Sequence, residues 1–151
     1  VKDKGYCGIG VENIKTKFNY WTLFRTAQIL DVDFLFVIGK RFEPGVPDTM
    51  KSFKNIPVFN YTDFSDFNDH RPYNCRLIGI ELTKEALEVS SYNHPKQACY
   101  LLGAEDNGLT KTALNNCQDV IKLYGDRSMN VSVAGSIVLY DRYVKNLNYL
   151  K

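Results

Sequence analysis

Two apolar runs that each empty into a turn rich in Gly, Asp and Asn constrain this chain more than any other feature. They lie in the stretch 100–135, which reads Y-L-L-G-A-E-D-N-G-L, then a short polar helix-like segment, then D-V-I-K-L-Y-G-D-R-S-M-N-V-S-V-A-G. Runs 100–102 and 120–123 have strand character, and Thr110 and Ser132 are helix starts behind the two turns. In an open α/β sheet, ligands bind outside the carboxyl ends of the strands, where such turns collect. Two of them this close in sequence predict one pocket with two walls. A pair of ordinary strand-to-helix connections is the competing reading.

The remainder of the chain supplies a sheet for those turns to stand on. Segment 6–11 (Y-C-G-I-G-V) is a short strand weakened by two glycines, and 34–38 (F-L-F-V-I) is a continuous apolar run closed by Gly39. Such runs suit a parallel strand buried on both faces. Segments 57–61 and 76–80 (R-L-I-G-I, ending at Glu81) are further strands, with 63–68 a short helix or turn. Segment 83–96 is mixed and yields nothing beyond 87–89. Trp21, Phe24 and Ala27, flanked by Leu23 and Leu30, predict an amphipathic helix over 18–30 with Asn19 near its start. Val133, Ile137, Tyr140, Val144 and Leu147 predict a long amphipathic helix over 132–150.

Segment 40–54, with Pro44, Gly45 and Pro47, is expected to be a long loop. Its Lys40, Arg41, Lys51 and Lys54 either meet phosphates or solvate the loop face. Strands alternating with helices predict one α/β domain over 1–151, with a mainly parallel sheet flanked by helices.

A formal net charge of +2 is too small to identify a nucleic-acid binder and only leaves that option open. No apolar run approaches a membrane span and the N-terminus lacks a signal-peptide core, so a cytoplasmic protein is expected. Cys7, Cys75, Cys99 and Cys117 are widely spaced without a C-x-x-C pair, which predicts reduced thiols. His70 and His94 have no second ligand at metal spacing, and no metal is expected.

Three separated pieces become meaningful together: N-Y-W-T-L-F-R-T-A at 19–27, L-G-A-E-D-N-G-L at 102–109 and S-M-N-V-S-V-A-G at 128–135. In this order they resemble the three motifs of the SPOUT superfamily, in its SpoU/TrmH-like branch of RNA ribose 2′-O-methyltransferases. The resemblance covers nearly the whole chain, and its third motif is the most specific. It implies a deep C-terminal trefoil knot, S-adenosyl-L-methionine as cofactor, an RNA substrate (tRNA, or else rRNA) and a homodimer with the last helix in the interface. It implies no separate RNA-binding extension.

Carried over residue by residue, the resemblance places the cofactor around Ile80, Leu102, Gly103, Gly108, Ile121, Leu123, Ser128 and Met129. Arg25, Glu105, Ser128 and Asn130 are the implied catalytic residues, with Asn19 and Arg25 on the substrate side. The family proposal makes the arginine a general base. A guanidinium with a pKa above about 12 is a poor base, so Arg25 is better read as orienting the hydroxyl and its phosphate. Glu105 and Asn130 are then expected to fix Arg25 and the motif loops by hydrogen bonds.

Structural readings stand beside these: a solvated helix arginine for Arg25, a turn cap for Glu105, and a cap of the final helix for Asn130, a role for which Ser128 and Ser132 compete. The apolar stripe of the last helix serves a monomer core as well as a dimer. Three departures from the family pattern bear on pocket shape and substrate: Trp21 where a glycine is usual, Lys122 where a proline is common, and the short Y-G-D-R loop at 124–127. Trp21 also favours a rival reading, a non-catalytic RNA-binding or assembly protein that kept the fold.

Overall fold

The computed structural model describes residues 5–39 and 56–148. Seven strands form one sheet: β1 Tyr6–Glu12, β2 Phe34–Ile38, β3 Val58–Tyr61, β4 Arg76–Ile80, β5 Leu87–Glu88, β6 Gln97–Leu102 and β7 Asp119–Lys122. The helices are α1 Lys17–Ile29, α2 Phe64–His70, α3 Lys111–Asn116 and α4 Val131–Asn148. Strand order is β3-β2-β1-β6-β4-β7-β5, and every pairing is parallel. The expected α/β class with a parallel sheet flanked by helices is what the chain adopts. The expected loop at 40–54, with its four cations, lies outside the described residues, as do residues 149 and 150 of the expected last helix.

β2 shows why an unbroken apolar run was required. Leu35 and Val37 join the core under α1 and α4, while Phe34, Phe36 and Ile38 join a second core with Phe64 and Phe67 of α2 and Ala113 of α3. The glycines of β1, which on sequence weaken the strand, are what let it pair here. Gly8 and Gly10 lie opposite Phe34 and Phe36 in register. A Cβ on either would stand 2.2 Å from the facing ring. Pleat and packing outweigh strand propensity at these positions.

Of the boundaries that differ from expectation, three belong to elements that bear on the site. β6 begins at Gln97 rather than 100, because 97–99 pair with β1 and 98–99 also with β4. β7 ends at Lys122, which leaves Leu123 free to face the site. α4 begins at Val131, one residue before Ser132, since the cap is Asn130: its Oδ1 accepts from Ser132 N at 2.9 Å, Ser132 Oγ at 2.7 Å and Val133 N at 3.4 Å.

The apolar stripe of α4 faces the other way from its core. Val131, Ala134, Val138 and Leu139 are buried, together with Arg142. Val133, Ile137, Tyr140 and Val144 are 49%, 40%, 58% and 37% exposed. The monomer core therefore does not use the stripe that the spacing picked out. Among the described residues no helix is long and apolar enough to cross a membrane, and all four cysteines are free thiols.

A buried polar network fixes α4 to the segment between β5 and β6. Arg142 donates to the Pro95 and Lys96 carbonyls at 2.5 and 2.9 Å and to Tyr100 Oη at 3.2 Å. His94 lies between Tyr100 Oη at 2.6 Å and Asp141 Oδ2 at 2.7 Å, with its side chain fully buried. Because the Tyr100 oxygen already accepts from Arg142, its proton is available to His94 Nδ1, leaving Nε2–H to donate to Asp141. Desolvation holds the His94 pKa below the ordinary value, opposed by Asp141 and reinforced by Arg142 and Lys145.

The unfolded chain thus takes up this proton at higher pH than the folded one. Stability from this residue is full above about pH 6.5 and falls as pH drops toward the depressed folded value. Exposed His70 works in the opposite sense, its pKa being raised by the Asp66 carbonyl and carboxylate. Thermal melts are expected to shift downward between about pH 7.5 and 5.5, and His94→Gln should flatten the slope. An identical slope in that variant would remove His94 from the account.

Candidate active site

β4, β6 and β7 end beside one another, and the turns that follow β6 and β7 wall a cavity of about 400 Å³ at their carboxyl ends. The first wall is the 103–109 turn, closed by Ala104 N to Gly108 O at 3.2 Å and Gly108 N to Ala104 O at 2.9 Å. The second is the 123–129 segment leading into α4. One pocket with two walls is the arrangement found, and its volume falls within the range of small-molecule sites.

Of the residues assigned to cofactor, Ile80, Leu102, Gly103, Gly108, Leu123, Ser128 and Met129 line this cavity. Ile121 does not: it is fully buried, with its side chain in the core under α4. The lining also holds Glu81, Asn107 and Arg127, which sequence reasoning passed over. Glu81 had a signal, since it directly follows the last residue of a central strand. Its carboxylate accepts from Leu109 N at 2.8 Å and Leu82 N at 3.2 Å. Gly108, at φ +66, leaves room for it, for a Cβ there would meet Glu81 Oε2 at 2.4 Å.

Glu105 stands on the rim, and its partners define the rest of the site. It accepts from Lys15 N at 2.8 Å, Thr16 N at 3.3 Å, Thr16 Oγ1 at 3.0 Å and Asn19 Nδ2 at 2.9 Å. α1 has no acidic residue in its first turn and Thr16 makes no capping bond there, so Glu105 supplies the negative charge its amino end favours. Desolvation pushes the Glu105 pKa up, but the bonds from Asn19, Lys15 and Thr16 prevail and hold it below the ordinary carboxylate value. Asn19 is buried and also accepts from Asn130 Nδ2 at 2.9 Å. Glu105, Asn19 and Asn130, one from each motif, form a single chain of hydrogen bonds.

Arg25 is not in that chain. It is exposed on α1, outside the cavity lining, and makes no hydrogen bond or ion pair among the described residues. The expectation that Glu105 and Asn130 fix Arg25 is corrected: both are committed to Asn19, six residues back and on the buried side of the helix. Asn130 is at once helix cap and tether, so its structural and motif readings coincide. Trp21 is half-buried and packs edge-on against Tyr20 with centroids 4.9 Å apart. It is absent from the cavity lining, so its bulk does not narrow the pocket.

The donor set suits an adenosyl sulfonium. Ile80, Leu102, Leu123 and Met129 are apolar walls for a base, and the carboxylates Glu81, Glu105 and Asp106 outnumber the cations Lys122 and Arg127 around the lining. That balance favours a positively charged ligand.

The sequence model of the SpoU rRNA Methylase family matches residues 7–140. The tRNA (guanosine(18)-2'-O)-methyltransferase of Escherichia coli K12 is 25% identical over 137 residues, covering 87% of this chain and 60% of that protein. The 23S rRNA (guanosine-2'-O-)-methyltransferase RlmB of Acinetobacter baylyi is 32% identical over 69 residues, covering 44% of this chain and 28% of that protein. Thus the chain spans less than two thirds of either relative. The crystal structure of the A. aeolicus TrmH/SpoU tRNA modifying enzyme superposes with a TM-score of 0.83 at 21% identity, covering 98% of this chain and 79% of that one.

Proposed function

The chain belongs to the SpoU rRNA Methylase family, and from that premise we propose that it methylates a ribose 2′-hydroxyl of RNA with S-adenosylmethionine as methyl donor. The observation that carries this reading is the cavity at the strand ends, joined to α1 by the Glu105–Asn19–Asn130 bonds. tRNA is the favoured substrate class, because the tRNA-named relative matches 87% of this chain and the rRNA-named one 44%. The free thiols suit a cytoplasmic setting.

When bound, the cofactor supplies an electrophilic methyl group on a sulfonium sulfur. Ile80, Leu102, Leu123 and Met129 would enclose its adenosine, while Gly103 and Gly108 let backbone approach it. Glu105 and Asn130 hold α1 against the rim, and Arg25 orients the ribose hydroxyl and its neighbouring phosphate. Positioning carries most of the acceleration in such a transfer.

The exposed stripe Val133, Ile137, Tyr140 and Val144 supports a two-fold dimer through α4. Within it, Arg25 would serve the partner's cavity, which its distance from its own accommodates. A C-terminal knot is supported by the path of the chain: the β4–β6 connection swings out to pair β5 beyond β7 and then returns. α4 is tied to that connection by Lys145 Nζ, which donates to the Val89 and Tyr92 carbonyls at 2.6 and 3.1 Å.

Calorimetry with S-adenosylmethionine is expected to show one site per chain, and labelled cofactor should transfer its methyl to total tRNA. Absence of cofactor binding would sink the proposal. Binding without transfer to any RNA would leave the non-catalytic rival.

A further inference from the structure

At the amino ends of β4 and β7 lies a second concavity, of about 340 Å³, lined among others by Asn68, Arg71, Tyr73, Asn74, Arg76 and Gln118. A tight turn after α2 builds it: Cys75 N donates to Pro72 O at 3.2 Å, and Asn74 takes the left-handed conformation at φ 60. Tyr73 is thereby placed at the turn tip with its side chain 97% exposed. Alone, an exposed tyrosine needs no explanation. Here it stands over a cavity with unused bonding capacity.

Arg71 donates only to Gln118 Oε1, at 3.4 Å, and meets no carboxylate among the described residues. Gln118 is itself fixed, since Oε1 also accepts from Leu77 N at 2.6 Å. Arg76 is held by Asp119 at 2.7 and 3.1 Å, which balances its charge, and Asp119 accepts from Tyr92 Oη as well. Exposed Asp69 stands two residues before Arg71 in sequence and lies outside the lining.

The cavity thus presents a cation without a counter-charge among the described residues and an open aromatic face. A nucleotide offers the complement of both: phosphate and base face. We propose that this concavity holds one unpaired nucleotide of the RNA substrate, its phosphate on Arg71 and its base on Tyr73. The inference rests on the reading that the chain acts on RNA. The five residues of β4 separate the two cavities by about 16 Å, a distance that a folded RNA spans with ease.

The test measures binding of a short fluorescent, unstructured oligoribonucleotide by anisotropy. Tyr73→Ala is expected to weaken binding about tenfold, as loss of one stacked base does, while Tyr73→Phe, which keeps the ring, stays near the parent. Arg71→Gln should weaken binding and flatten the dependence of log K on log salt by about one unit. S-adenosylmethionine affinity should be unchanged in all three. If the parent binds RNA and the Tyr73→Ala and Arg71→Gln variants bind it equally well, the second site is overturned while the methyltransferase reading stands. A parent that binds cofactor but no RNA overturns the RNA reading itself. Free nucleoside monophosphates bound through Tyr73 as tightly as the oligonucleotide would overturn its assignment to RNA.

Discussion

Arg25→Ala is expected to lower methyl transfer to RNA by about 10²- to 10³-fold, the scale of losing one preorganised cationic or hydrogen-bonding group, with cofactor affinity unchanged. The separation of effects follows from where Arg25 stands. Six residues beyond Asn19, it is about 9 Å farther along the helix axis, exposed and outside the cavity lining. Removing an exposed side chain that has no hydrogen-bond or ion-pair partner among the described residues should change stability by no more than about 0.5 kcal/mol. Neither the fold nor the pocket depends on it, so any large loss must arise at the RNA or across a subunit boundary. Arg25→Lys keeps the charge but not the planar fork, and should recover only part of the rate. Parallel losses of cofactor binding and transfer in Arg25→Ala would refute this division of labour, as would full activity.

Much of this architecture was legible because period and punctuation pointed the same way. The run F-L-F-V-I had to be a strand buried on both faces, and R-L-I-G-I ended where a sheet presents ligands. What stayed illegible depended on contacts distant in sequence. The glycines of β1 look like weaknesses until Phe34 and Phe36 are placed opposite them. α4 offers two apolar faces, and spacing alone could not say that Ala134, Val138 and Leu139 turn inward while Ile137 and Tyr140 turn out. Asn19 could be named from its motif, yet its role as the link between Glu105 and Asn130 exists only once residues 86 and 111 positions apart meet. Spacing likewise could not say that the Ile121 side chain turns into the core and not toward the cavity, since pleating sends alternate residues of a strand to opposite faces.

The largest structural effect is expected from Gly103→Ala. A Cβ at this position would lie 2.0 Å from the Gly108 carbonyl carbon, 2.2 Å from Leu109 N and 2.5 Å from Gly108 O. All three are backbone atoms, so no rotamer change relieves the clash and the 104–108 turn itself must move. That turn carries Glu105 to Lys15, Thr16 and Asn19, and it leads into Leu109 N on Glu81. Loosening these bonds is expected to cost about 2–3 kcal/mol of stability and at least about 100-fold in S-adenosylmethionine affinity, as a displaced wall of the site would. A Gly103→Ala protein that binds the cofactor like the parent would show that this cavity is not the cofactor site.

The two inactive variants also test each other. If Arg25 serves the partner's cavity, a mixed dimer of Arg25→Ala and Gly103→Ala chains pairs one intact arginine with one intact pocket. Random two-fold assembly should then restore about a quarter of parental activity. If each chain's Arg25 serves its own cavity, every site in the mixture carries one lesion and no activity returns. The exposed face of α4, which the monomer core leaves uncovered, favours the first outcome.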